Sequence, residues 1–159
     1  MIAGLGLYRQ RMTTYRSAGF VLTALLAFAL SGCGDRTASA SCPSWASFTT
    51  PQDKYDAADL VVATSSSTRD GTTSIFGVDA HSYDIAVDEV LKGGSGNETV
   101  RISSMPDPCS GTAEYPDGDP LDTSDPLLTF ATKQDGEWFT LTPFDGTLRY
   151  TQDVADGLQ

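Results

Sequence analysis

Five of the chain's eight prolines, Pro106, Pro108, Pro116, Pro120 and Pro126, fall within 21 positions. Proline lacks the backbone donor that a sheet ladder or a helix interior needs, so no regular element can run through this stretch. Residues 106–126 are therefore expected to form one long excursion loop, carrying Asp107, Glu114, Asp117, Asp119, Asp122 and Asp125. A loop of that length inside a compact domain is uncommon and usually has a function.

The segments on either side of it read as strands. Within 81–91, Tyr83, Ile85 and Val87 alternate with Ser82, Asp84, Ala86 and Asp88. The alternation slips at Glu89 and resumes at Val90, as a β-bulge would make it. Residues 59–65, 99–103, 127–132 and 138–142 are further strands, the last two facing each other across a turn at Gln134-Asp135-Gly136-Glu137. Residues 147–151 make a weaker one. Residues 66–77, polar and centred on Arg69-Asp70-Gly71, are expected to be a hairpin turn with frayed ends. One short helix over 48–58 precedes the strands, with Thr50 as cap, Pro51 at the first helical position and Asp53 completing a capping box. The acidic tail 152–159 is expected to fray. Five or six short strands and one helix predict a mainly β fold, a small, partly open, OB-like barrel spanning 42–151.

Before this domain, residues 18–30 form an apolar run that would reach about 20 Å as a helix, short of a bilayer core of roughly 30 Å. Arg9, Arg11 and Arg16 lie in front of it, a basic-then-apolar order that fits a secretory signal. Met12-Thr13-Thr14-Tyr15-Arg16 is itself a compact basic start, so the leader begins at Met1 or at Met12. The exit, Leu30-Ser31-Gly32-Cys33, resembles the lipobox of bacterial lipoproteins. That resemblance implies cleavage between Gly32 and Cys33, with residues 1–32 removed as a signal peptide. It also implies lipidation of the Cys33 thiol and anchoring to the extracytoplasmic face of the cell membrane. Residues 34–41, small and polar, then make a flexible tether behind the lipidated cysteine.

From position 33 onward, seven basic residues face 21 acidic ones, a net charge of −14. Such a chain offers no basic track for a nucleic acid. Setting Cys33 aside leaves Cys42 and Cys109, which in an exported protein are expected to form one disulfide closing a 67-residue loop, the alternative being two buried thiols. One histidine and no Cys-x-x-Cys pair argue against zinc.

The order of Cys42, the strand Ala58-Asp59-Leu60-Val61-Val62-Ala63, the long strand ending in Val87-x-x-Val90-Leu91-Lys92-Gly93, the strand Thr99-Val100-Arg101-Ile102 and then Cys109 resembles the netrin-like, or TIMP-like, domain. The resemblance covers roughly residues 42–142 and implies the same OB-type barrel. Inhibitors of that family chelate the catalytic zinc of a metallopeptidase through the amine and carbonyl of an N-terminal cysteine. Here the mature N-terminus would be the lipidated Cys33, and Cys42 has no free amine unless proteolysis exposes it. The family's activity does not carry over directly, because a shared fold constrains function poorly.

No catalytic residue is assigned, and the chain is not expected to be an enzyme. His81, the only histidine, adjoins Ser82, but no Gly-x-Ser-x-Gly elbow accompanies them, and an exposed polar residue at a strand start is the simpler reading. Asp117, Asp119, Asp122 and Asp125 are weak calcium candidates, since the further ligands and the closing Glu of an EF-hand loop are missing. A solvated acidic loop is the alternative, and no cofactor is expected. Trp45, Phe48, Tyr55, Trp138 and Phe139 could form an aromatic ligand surface or, in so small a barrel, its core. The expected function is that of a lipid-anchored binding module whose acidic loop holds a protein or peptide partner; inhibition of an envelope metallopeptidase is the alternative.

Overall fold

The structure, a computed structural model, describes residues 42–94, 96–110 and 114–158. The expected signal segment 1–32, the expected lipidation site Cys33, its signal cleavage and the expected tether up to residue 41 all fall outside the described residues. The fold is mainly β. In chain order the elements are α1 (Pro51–Ala57), β1 (Leu60–Thr64), β2 (Ser66–Ile75), β3 (Val78–Ala86), β4 (Glu89–Lys92), β5 (Thr99–Ser103), β6 (Leu127–Gln134), β7 (Glu137–Thr140), β8 (Thr147–Arg149) and α2 (Gln152–Asp156).

The first four strands are two long strands, each bent once. Only Ser65 separates β1 from β2, and only Val87 and Asp88 separate β3 from β4. Ala63 pairs with Glu89 and Ser66 with Ala86, so the register runs unbroken across both bends. Between them the Asp88 N–H donates to the Ala63 carbonyl at 2.9 Å. Residues 60–92 are therefore one antiparallel hairpin. The hydrogen-bonded path through the sheet is β2-β3-β5-β7-β6-β1-β4, with β8 paired to β6. It begins and ends on the two halves of that hairpin, so the sheet curls into a small open barrel. Its thinnest wall is the parallel contact of β5 with β7, a single pairing of Ser103 with Phe139.

Three sequence expectations need correction. Residues 66–77 are not a turn with frayed ends. They form the ten-residue strand β2, which pairs with β3 from Ser66–Ala86 to Ile75–Val78, and the turn is Phe76-Gly77. Backbone ladders do not require apolar side chains, and an edge strand exposed along most of its length has no need of alternation. Arg69-Asp70-Gly71 is instead a bulge, where Gly71 takes φ 93 and the register shifts before Thr72. The strand over 81–91 begins earlier, at Val78, and breaks at Val87-Asp88, where the chain bends to pair with β1. The tail is helical from Gln152 to Asp156, capped by the Thr151 side chain, which accepts from the Val154 N–H, and it packs Val154 and Leu158 against the core.

Helix α1 forms as its cap predicts. The Thr50 hydroxyl accepts from the Asp53 N–H at 3.1 Å, and Asp53 Oδ2 accepts from the Thr50 N–H at 2.9 Å. Hydrogen bonds from Thr49 and Thr50 hold the Asp53 carboxyl below its ordinary range.

All five residues of β1 are buried, because both of its faces are covered. Leu60 and Val62 face the barrel interior with Tyr83, Ile85, Ile102 and Leu121. Val61 and Ala63 face outward with Leu128 and Phe130, under Tyr55 of α1, Leu148 of β8 and Val154 of α2. A third cluster, Ile75, Ala80, Met105 and Phe139 with Trp45 against it, fills the end of the hairpin. The five aromatics singled out in the sequence do not form one surface: Tyr55, Trp138 and the pair Trp45 and Phe139 belong to three different clusters.

Candidate functional site

The described residues of the excursion loop after β5 are irregular, as five prolines require, but they are bonded to the barrel at several points. Cys42 and Cys109 form a disulfide with Cα atoms 5.6 Å apart, tying the entry of the domain to the start of the loop. Met105 and Leu121 are fully buried, Leu121 inside the barrel. The Ser67 hydroxyl donates to the Leu121 carbonyl at 2.6 Å, fastening the later part of the loop to β2.

Asp119 is the centre of this arrangement. Its Oδ2 accepts from the Tyr83 hydroxyl at 2.7 Å and lies 2.6 Å from His81 Nδ1. Its Oδ1 accepts from the Ser104 hydroxyl and, at 3.1 Å, from the Leu121 N–H. The side chain is only 7% exposed. Tyr115 braces the same site: its hydroxyl donates to the Ser104 carbonyl at 3.0 Å and accepts from the His81 N–H at 2.9 Å, with its ring 4.9 Å from the imidazole. Burial, then the hydrogen bond to Asp119 and its charge, raise the Tyr83 hydroxyl far above the ordinary phenol value. Burial, reinforced by the charges of Asp119 and Glu114, pushes Tyr115 up to about 12.

The histidine is therefore partnered, not simply exposed at a strand start. Ser82, its neighbour in sequence, instead shares a 2.8 Å hydrogen bond with Ser103 in the interior. Ser104 reaches Asp119, not the imidazole. Among the described residues no serine hydroxyl bonds to His81, so the arrangement lacks the nucleophile-to-base contact of a triad.

Of the four aspartates considered for calcium, Asp119 points inward and spends both oxygens on protein donors. Asp125 pairs with Arg149 at 2.7 Å. Asp117 and Asp122, before and after Asp119 in the sequence, are both exposed. Among the described residues no three His, Cys, Asp or Glu side chains are grouped to hold a metal ion.

Along the loop's sequence four exposed carboxylates, Glu114, Asp117, Asp122 and Asp125, make an acidic ridge. Beside it an open cleft of about 400 Å³ runs between Asp122, Thr123 and Ser124 on one side and Ser65, Ser66, Ser67 and Arg69 on the other, with Tyr83 among its lining. A second cavity, of about 320 Å³, lies among Leu60, Val62, Val87, Val90, Val100 and Trp138. The Lys133 ammonium beside it stands over the Trp138 ring, 5.3 Å from its centre. No helix among the described residues is long and apolar enough to cross a membrane. Neither a family model nor a curated protein matches the chain.

Proposed function

We propose that this chain is a lipid-anchored binding module on the extracytoplasmic face of the cell membrane, holding a protein or peptide partner against the acidic ridge at 114–125. The observation that carries this reading is the fixation of the ridge. Its exposed carboxylates stand on a loop held by Asp119, by buried Leu121 and by the Cys42–Cys109 disulfide. A surface ordered before binding loses less conformational entropy on association, and one of a single charge sign selects and steers a basic partner.

The test is crosslinking in cells of the native chain, followed by purification, with Cys33→Ala and the double charge reversal Asp117→Lys, Asp122→Lys compared in parallel. One partner should be recovered with the native chain, lost with the charge reversal and weakened by added salt. Recovery unchanged by the reversal would rule out the ridge.

The second reading is inhibition of an envelope metallopeptidase by a netrin-like domain. The Cys42–Cys109 disulfide at the head of the domain favours it. It needs a form beginning at Cys42 with a free amine. Such a form should slow a zinc peptidase where the lipidated form does not, and equal inertness of both forms removes this reading.

A further inference from the structure

The tip of the β2–β3 hairpin breaks a local rule. Phe76 and Gly77 form a two-residue turn with φ 55 and φ 80, positive at both central positions. Turns of this kind favour Asn, Asp or Gly at the first position, as Asp135-Gly136 provides at the β6–β7 turn with φ 51 and φ 91. An aromatic residue there is strained, and Phe76 is also 49% exposed. Its ring stands edge-on to Trp45, with centroids 6.0 Å apart. The Trp45 indole N–H donates to Asp107 Oδ1 at 3.4 Å, and the body of the ring lies on the Ile75, Ala80, Met105 and Phe139 cluster. A strained, exposed ring braced by a second ring serves neither the turn nor the core, and residues that break a local rule without a folding benefit mark functional sites.

The position of this corner says what it meets. Trp45 is three residues past Cys42, whose disulfide partner Cys109 lies two residues past Asp107. Cys33 precedes Cys42 by nine residues, a span of at most about 30 Å fully extended. A lipid on Cys33 would thus hold this corner within reach of the bilayer. The later part of the acidic ridge, around Asp122, lies at the other end of β2, where Ser67 bonds the loop, about 30 Å along the strand from Phe76. The carbonyl of its first residue, Glu114, instead accepts the Asp107 N–H at 2.9 Å on the Trp45 side. Aromatic side chains with a polar tip, such as tryptophan, favour the membrane–water interface.

We propose that the Trp45–Phe76 corner is the face this domain lays against the bilayer, both rings entering its interfacial layer while Asp122 stays at the far end of β2. This rests on the anchor at Cys33. The test uses the full lipidated chain carrying Trp138→Phe, which leaves Trp45 as its one tryptophan, on phosphatidylcholine vesicles with or without bromine on the acyl chains. Trp45 emission should drop on the order of twofold on brominated vesicles, as an indole in the interfacial layer would. Phe76→Asn should restore the emission and leave the unfolding midpoint unchanged or higher, since asparagine suits the turn. Phe144→Asn, which removes an equally exposed phenylalanine from the loop after β7, should change nothing. Lipidated protein that floats with the vesicles but keeps its emission overturns this face alone, and so does unquenched Trp45 with partner crosslinks lost in Phe76→Asn, which reassigns the corner to a protein. An unmodified Cys33, read from intact mass and failure to float, overturns the anchor and this face with it.

Discussion

Asp119 concentrates more of the loop's attachment than any other side chain described. It gathers hydrogen bonds from β3 and from both ends of the loop itself, so truncating it leaves several buried donors without an acceptor. Asp119→Ala should lower the unfolding free energy by about 3 kcal/mol, measured by urea titration. None of this was legible from the spacing of carboxylates in the loop, which marked Asp119 only as a possible cation ligand. Its partners Tyr83 and His81 are 36 and 38 positions away, and no local pattern announces contacts of that range. Tyr115 adds a pH signature. Its folded value of about 12 lies above the value of about 10 expected when unfolded, so the folded chain keeps a proton that the unfolded chain gives up. Its stabilisation is complete below pH 10 and is lost as the pH rises toward 12. The urea midpoint should fall across that window, and Tyr115→Phe should flatten the fall.

Among elements, the bend from β4 into the following loop shows how a short sequence pattern becomes a joint. The Lys92 ammonium donates to the Tyr55 carbonyl at 2.7 Å and to that of Asp56 at 3.1 Å, meeting the carbonyl end of α1. The Tyr55 hydroxyl returns a bond to the Leu91 carbonyl at 3.1 Å. Gly93 follows at φ +64, and a Cβ there would lie 2.0 Å from the Asp59 carbonyl oxygen. Gly93→Ala should lower the melting temperature by at least about 10 °C, because it combines a disfavoured dihedral with a backbone clash. The Lys-Gly pair ending the long strand was conspicuous in the sequence, and so were the Thr50-Pro51-Asp53 cap and strand 99–103, since all three are written in adjacent residues. Strand β2 was hidden because its serines, threonines and glycine follow the rules of turns while its backbone follows those of a sheet. Helix α2 did carry a signal, Thr151 as cap with Val154, Ala155 and Leu158 on one face, but five residues are too few for periodicity to speak.

At the scale of the whole molecule, mainly-β character and a partly open barrel followed from the number of short strands, whereas the path of the sheet depended on pairings between distant segments. The Cys42–Cys109 disulfide closes 67 residues and holds the entry of the domain to the loop. Replacing both cysteines with serine should cost up to about 4 kcal/mol in the chain-entropy account, visible as a lower denaturant midpoint that matches the reduced native protein.

A barrel whose sheet starts and finishes on one hairpin also has a built-in order of assembly. Residues 60–92 can zip from the Phe76-Gly77 turn through contacts that are close in sequence, whereas β5 and β7 must find each other across the whole excursion loop. That last wall, with one backbone pairing and the Met105 N–H on the Thr140 hydroxyl, is then the first to part when the domain breathes. In hydrogen exchange the Met105 amide should trade its proton well before those of Ser104, which is held by the His81 carbonyl of β3, and of 82–86. The molecule would open like a clasp while its hairpin stays shut.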